Sequence, residues 1–255
     1  LAFHGSLYAL SAEGIVLWRK VLNPHFAEQK ARDHRYTFYH SAPTVVDGTN
    51  TLIALVQDAL VFDQNGNVVA QEKECFSRLD DSGLSPNITP DGLAVLSSQI
   101  GSVHLWKWHD KTVINIPVRG YDIITPAIYS DGTLAVSAYA IDGFCRVRQD
   151  GSSVWRTTFR DADLLPTLND AEFAAVGSLN DGCSKIFSPD GIEVAQLPYP
   201  AVFAVSGYDD WIAASEKAGV LARYAATGHK LWECEMDIRT GWGRYQPVVD
   251  RDGTI

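Results

Sequence analysis

The sequence predicts an all-β fold, a β-propeller of four-stranded antiparallel blades, and three observations carry that prediction. A short apolar run closed by a turn doublet recurs along the 255 residues at a period of roughly 40. A second, glycine-marked turn follows each first one after about 18 residues. The runs between turns are short and rich in β-branched and aromatic residues, and a helical repeat is nearly absent.

The first signal reads "PTVVDG" (43–48), "PNITPDG" (86–92), "PAIYSDG" (126–132), "PTLNDA" (166–171), "AVSGYDD" (204–210) and "PVVDRDG" (247–253). Its anchors are Pro43, Pro86, Pro126, Pro166 and Pro247, with Ala204 taking the remaining place. The second signal places Gly14, Gly66, Gly151, Gly191 and Gly228 in tight turns, and Trp18, Trp155 and Trp232 stand four residues beyond three of them. The unit beginning at 86 departs, with "HLWKWHD" (104–110) where its siblings have strand and turn.

One unit shows the pattern: "PAIYS", "TLAVSAYA", "FCRVRQ" and "SVWRTTF" are four candidate strands, with turns at Asp142-Gly143 and Asp150-Gly151. Asp-Gly doublets tolerate positive φ and close antiparallel hairpins, so each unit is a meander. A lone meander cannot bury both faces, and copies packed face to face in a ring leave none exposed. Joining "DGTI" to "LAFHGSLYALSAEGIVLW" completes a further unit. The expected organisation is therefore one domain over 1–255 with six blades: 247–255 plus 1–40, 41–85, 86–125, 126–165, 166–203 and 204–246, the first shared between the termini. Only "NPHFAEQKARDH" suggests a helical turn.

Composition bounds the function. With 46% hydrophobic and 20% charged residues the chain can bury a substantial core, and a formal charge of -10 argues against a nucleic-acid partner. No apolar run reaches the roughly 18 residues of a membrane helix; "TLIALVQDALVF" is broken by Gln57 and Asp58. Cys75, Cys145, Cys183 and Cys234 lie far apart without metal-ligand spacing and read as buried thiols.

"GSLYALSAEGIVLW" (5–18) and "ARYAATGHKLW" (222–232) resemble the tryptophan-docking repeat of the PQQ-like quinoprotein propellers, including the non-enzymatic BamB-type proteins. The resemblance extends over the whole chain as repeats. It implies an extracytoplasmic (periplasmic or cell-surface) bacterial protein. The family's rings usually have more blades than the six counted here, so the chain reads as a smaller closed ring or as a segment of a longer protein, and the continuity of the seam favours the ring. Quinoprotein enzymes carry an adjacent cysteine pair and a calcium-bound cofactor site. This sequence has no Cys-Cys, so no cofactor, catalytic residue or metal site is assigned.

The candidate binding residues come from the connections between one blade's last strand and the next blade's first, which share one face of a propeller. Arg35, Arg78, Arg119, Arg160 and Arg239 stand six to eight residues ahead of the proline anchors, and Asp81, Asp122 and Asp163 follow three of them at i+3. His40, Tyr121, Trp242, Arg244 and Tyr245 share these connections. A guanidinium fork suits inter-blade ties to aspartate or carbonyl groups, and equally suits recognition of an anionic or sugar-like ligand or a protein partner. The connections 22–42 and 236–246 are longer than a propeller needs. The spacing of His25, His34 and His40 matches no metal motif, and "DRDG" (250–253) reads as a turn rather than a calcium loop. The tryptophans read as blade packing.

The expected function is a non-catalytic scaffold binding through the arginine-bearing face. The alternatives are a funnel enzyme, either a divergent quinoprotein dehydrogenase or a metal-dependent hydrolase or lactonase, and a carbohydrate-binding propeller.

Overall fold

The computed structural model describes residues 2–3, 6–21, 44–46, 50–54, 59–72, 86–97, 100–139, 143–206, 208–236, 247 and 249, and every regular element among them is a β-strand. Two compact units are present, Leu1–Gln99 with His104–Asn115, and Ile100–Val103 with Ile116–Ile255.

In the first unit β1 (Ala2–Phe3), β2 (Ser6–Leu10) and β3 (Val16–Val21) form a three-stranded sheet in chain order. β4 (Thr44–Val46), β5 (Asn50–Ala54), β6 (Ala59–Phe62) and β7 (Val68–Glu72) form a four-stranded meander. The next sheet begins with β8 (Asn87–Ile88), β9 (Ala94–Ser97), β10 (Ile100–Lys107) and β11 (Thr112–Ile123).

The second unit holds three further meanders. The first comprises β12 (Ala127–Ile128), β13 (Leu134–Val136), β15 (Cys145–Val147) and β16 (Ser153–Arg156), while β14 (Ala138–Tyr139) leaves it. The others are β17 (Thr167–Leu168), β18 (Ala174–Ser178), β19 (Cys183–Phe187) and β20 (Glu193–Leu197), then β21 (Val202–Val205), β22 (Trp211–Ser215), β23 (Val220–Tyr224) and β24 (Lys230–Glu235).

Alternation decides how the sheets stack. Strand β18 is buried on both faces, and its successive residues enter different cores. Ala174 and Val176 join Tyr129, Phe144, Phe159 and Phe187, whereas Ala175 joins Ile186, Phe203, Trp211 and Tyr224. Each core is therefore filled from two consecutive meanders, as face-to-face packing requires. Burial of one such large side chain is worth about 1.5–3 kcal/mol. In the first unit Val46, Val61, Leu96 and Trp106 fill the equivalent layer.

The glycine-marked turns share one geometry. Ser188 N–H donates to Ile192 O at 2.8 Å and Gly191 N–H to Ser188 O at 2.8 Å; the turns ending at Gly14, Gly66, Gly151 and Gly228 repeat the pattern. The fourth residue sits at φ between 79° and 86°, where a glycine costs nothing. The sheet containing β11 has no such glycine, and Lys111 takes the left-handed position at φ 57°.

Three sequence expectations shift in detail. The anchor replacing proline in the 204–246 unit is Phe203, not Ala204. Thr44 Oγ1 donates to Pro86 O at 2.8 Å and Thr167 Oγ1 to Phe203 O at 3.1 Å, so Phe203 occupies the place of Pro86. The run "TLAVSAYA" is not one strand. Ser137, buried, accepts at its carbonyl from Ile124 N–H at 3.1 Å and donates its hydroxyl to Leu164 O at 3.0 Å. Beyond it β14 pairs with β11 through Tyr121↔Tyr139 and Ile123↔Ala138. Finally, Arg119 and Tyr121 belong to the 12-residue strand β11 rather than to a loop. The "NPHFAEQKARDH" segment and the seam at 250–255 lie outside the described residues.

Candidate functional site

In a meander the first and third turns lie at one end of the sheet, and the second turn and the exit connection at the other. The turn end of the second unit is built from polar ties. Arg146 on β15 is 9% exposed at its side chain. Its Nε donates to Thr133 Oγ1 at 2.6 Å, its Nη2 to Asp131 Oδ2 at 3.0 Å and its Nη1 to the Pro189 carbonyl of the next sheet at 3.2 Å. Glu172 lies 3.8 Å from Nη2, and the guanidinium stacks 3.6 Å from the Tyr129 ring centroid. Burial pushes Asp131 upward, but hydrogen bonds from Thr133 and Arg146 outweigh it and hold the carboxyl below its ordinary range. Burial pushes the Tyr129 phenol up, and its hydroxyl finds no partner among the described residues.

Two acidic residues complete this end. Glu172 (φ 62°) and Asp209 (φ 63°) occupy the left-handed place that Gly132 fills in its own turn, a conformation costing about 1–3 kcal/mol for a residue with a side chain. Both reach back to the preceding sheet. Glu172 Oε1 accepts from Ser130 N–H at 3.1 Å and from the Ser130 hydroxyl, and Asp209 Oδ1 accepts from Asp170 N–H at 2.6 Å. The strain is thus offset by a tie that glycine could not make.

Tryptophan docking adds a further joint. Trp155 Nε1 donates to Pro189 O at 2.8 Å and its ring lies over Gly191, where a β-carbon would approach within 2.7 Å. Trp18 repeats this on Gln64 O at 2.8 Å and Gly66 at 2.8 Å. Blade packing, the expected role of the tryptophans, describes Trp18 and Trp155. Trp232 is 38% exposed on β24.

The connection end is organised differently. Between β16 and β17 the chain is pinned by buried Phe159, Ala162 and Leu164, and Asp163 Oδ1 accepts from Leu179 N–H at 2.7 Å. Arg160 projects from this pinned segment and is exposed. Arg119 is exposed on the outward-alternating face of β11, between buried Val118 and Ile123. The backbone of Tyr121 is in β11, and its side chain lies outside the described residues, as do Arg35, His40, Arg78, Arg239, Trp242, Arg244 and Tyr245.

Sequence reasoning missed Arg146, Glu172 and Asp209. A signal for Arg146 was present: it stands between Cys145 and Val147 in a short strand that is buried throughout, so a cation there must be paired. For Glu172, the "PTLNDA" turn lacks a glycine, which implies a side chain in the left-handed position. Among the described residues no group of three or more His, Cys, Asp and Glu could hold a metal ion. Cys145 is a buried thiol whose pKa burial raises to about 11, whereas Cys234 is exposed on β24, so the expectation of buried thiols fails there.

Stacked meanders joined by first-strand hydroxyls, turn acids and docked aromatics define a β-propeller. No protein-family model matches the chain, and no curated protein matches it in sequence. Among solved structures it is similar to virginiamycin B lyase from Staphylococcus aureus, with 11% identity and a TM-score of 0.64 over 82% of this chain and 73% of that one. It is similar also to BamB from Moraxella catarrhalis (13%, 0.60, over 88% of this chain and 65% of that one) and to the C-terminal WD40 domain of Sif2 (14%, 0.71, over 98% and 71%). The chain thus spans under two thirds of the BamB length. At these identities the likeness is one of fold, and the expected resemblance to a BamB-type propeller holds at that level.

Proposed function

We propose that this propeller is a non-catalytic binding module whose connection face receives an acidic segment of a protein partner. Arg160 and Arg119 are described cations of the second unit, and the sequence assigns Arg35, Arg78, Arg239 and Arg244 with His40, Tyr121, Trp242 and Tyr245 to the corresponding connections. The observation that carries this reading is the pinned connection at 157–166. Its backbone is fixed by three buried side chains and the Asp163 cap, so Arg160 is offered to a ligand with little ordering left to do. A BamB structure and a WD40 domain among the similar folds are consistent with a scaffold, by analogy alone.

The test is an anisotropy titration with a fluorescein-labelled hexaglutamate peptide. The wild type is expected to bind it in a salt-sensitive manner. Arg160→Met and Arg119→Met should each weaken binding at least about fivefold, equivalent to roughly 1 kcal/mol, and Arg160→Met should do so with an unchanged melting curve. No binding, or equal binding by both variants, would contradict the proposal.

A further inference from the structure

The glycine-marked turns differ in the residue that precedes the glycine: Glu13 before Gly14, Asn65 before Gly66, Asp150 before Gly151, Asp190 before Gly191 and Thr227 before Gly228. All but one are poor reagents toward the next backbone nitrogen. Threonine has no side-chain carbonyl, glutamate would have to close a six-membered ring, and a carboxylate is a far weaker acyl donor than a carboxamide. Asp150 is also held as the anion: hydrogen bonds from the Ser152 side chain and N–H, the latter at 2.8 Å, keep its carboxyl below the ordinary range. Asn65 is the exception. It carries a neutral carboxamide that closes a five-membered ring, and the residue after it has no β-carbon to obstruct the nitrogen.

Within its own turn Asn65 is set apart from the other asparagine. Asn65 is exposed, and it joins the turn through its backbone N–H, which donates to Asp63 Oδ1 at 2.9 Å. Asn67 is exposed too, but its Nδ2 donates to Asp63 Oδ2 at 3.0 Å, and the nitrogen after it belongs to β-branched Val68. No other Asn-Gly pair occurs in the sequence. What restrains Asn65 is the closed turn. Gly66 N–H donates to Asp63 O at 3.0 Å, the Trp18 ring lies over Gly66, and the Trp18 indole N–H donates to Gln64 O at 2.8 Å. The Gly66 nitrogen is therefore freed only when the turn opens locally, and the docked tryptophan opposes that opening.

We propose that Asn65 is a site of spontaneous deamidation whose isoaspartyl product undocks Trp18 from the turn. With the turn open, hydroxide takes the Gly66 amide proton, the nitrogen attacks Asn65 Cγ, and the Cγ–Nδ2 bond breaks to release ammonia. One water then hydrolyses the succinimide, giving aspartate or, where the main chain now runs through Cγ, isoaspartate. Neither an oxidant nor a reductant takes part. Isoaspartate adds one carbon to the main chain between the Gln64 carbonyl and Gly66, the two groups on which Trp18 rests, so both contacts cannot keep their present spacing. The product also places a second anion in the turn, beside the Asp63 carboxylate that accepts from Asn67. This site shares no residue with the connection face, so the binding proposal stands or falls independently.

Ageing the intact protein at mildly alkaline pH tests this, with peptide mapping by mass and labelling by an isoaspartyl methyltransferase. Asn65 should convert at least about tenfold faster than Asn67, a barrier difference of roughly 1.4 kcal/mol. Trp18→Phe keeps a ring on Gly66 but removes the indole donor, and should speed conversion of Asn65 about fivefold, equivalent to roughly 1 kcal/mol. The isoaspartyl form, separated by ion exchange through its added charge, should melt about 2–4 °C below Asn65→Asp, which carries the same charge on an ordinary main chain. An Asn65 that stays intact while the denatured protein converts would overturn the proposal. So would a Trp18→Phe turn that converts no faster than wild type, or an isoaspartyl form that melts with Asn65→Asp.

Discussion

The two ends of the meanders in the second unit use arginine in opposite ways. At the turn end Arg146 is buried, donates to three partners and binds one sheet to the next. At the connection end Arg160 is exposed on a segment that needs no arginine to hold it, since Phe159, Ala162, Leu164 and Asp163 do so. The same side chain is structural where carbonyl and carboxylate groups converge, and available where the backbone is already satisfied. Spacing within a repeat does not separate these roles; the number of acceptors the fold brings to the guanidinium does.

The comparison can be broken most severely at the turn end. Gly191→Val places a β-branched residue at φ 81° and drives it into the Trp155 ring, and should cost about 3 kcal/mol or more in urea unfolding. Arg146→Met removes one donor each from Asp131, Thr133 Oγ1 and the Pro189 carbonyl, of which Asp131 keeps Thr133 and the carbonyl keeps Trp155. Because Asp131 is 54% exposed, solvent compensates in part, and the expected loss is about 2 kcal/mol rather than the larger cost of a fully buried pair. Trp155→Phe keeps the stacking on Phe187 but removes the indole donor, for about 1 kcal/mol.

A pH titration sharpens the same contrast. The Asp131 carboxyl is held below its ordinary range in the folded protein, so its contribution is present above that range and lost as pH falls through it. Asp131→Asn should therefore flatten the acid side of the stability profile while leaving the alkaline side parallel to wild type. At the connection end, Arg160→Met should change stability by less than about 0.5 kcal/mol.

How much of this the sequence disclosed follows from what each residue type reveals locally. Turn glycines, proline anchors and recurrent tryptophans are punctuation, and they announced four-stranded antiparallel meanders, the form that four of the described sheets take. Positions decided by partners far along the chain were not legible. Phe203 replaces a proline with no local mark, and the hydroxyl of Thr167 reveals the register. Ser137 diverts β14 to β11 because its carbonyl and hydroxyl are claimed by Ile124 and Leu164. Lys111 closes a turn that the glycine pattern could not announce. On the candidate site, the arginine spacing located exposed Arg119 and Arg160 but not the buried Arg146, whose partners lie 13 to 43 residues away.

The division of labour between the two ends is tested most directly by paired thermal melts of Arg146→Met and Arg160→Met, each with and without hexaglutamate. The account predicts that Arg146→Met melts lower by roughly 4–8 °C yet still gains stability from the peptide. Arg160→Met should melt with the wild type in buffer and respond weakly to the peptide. The reverse pattern, with Arg160→Met unstable or Arg146→Met alone insensitive to the peptide, would contradict it.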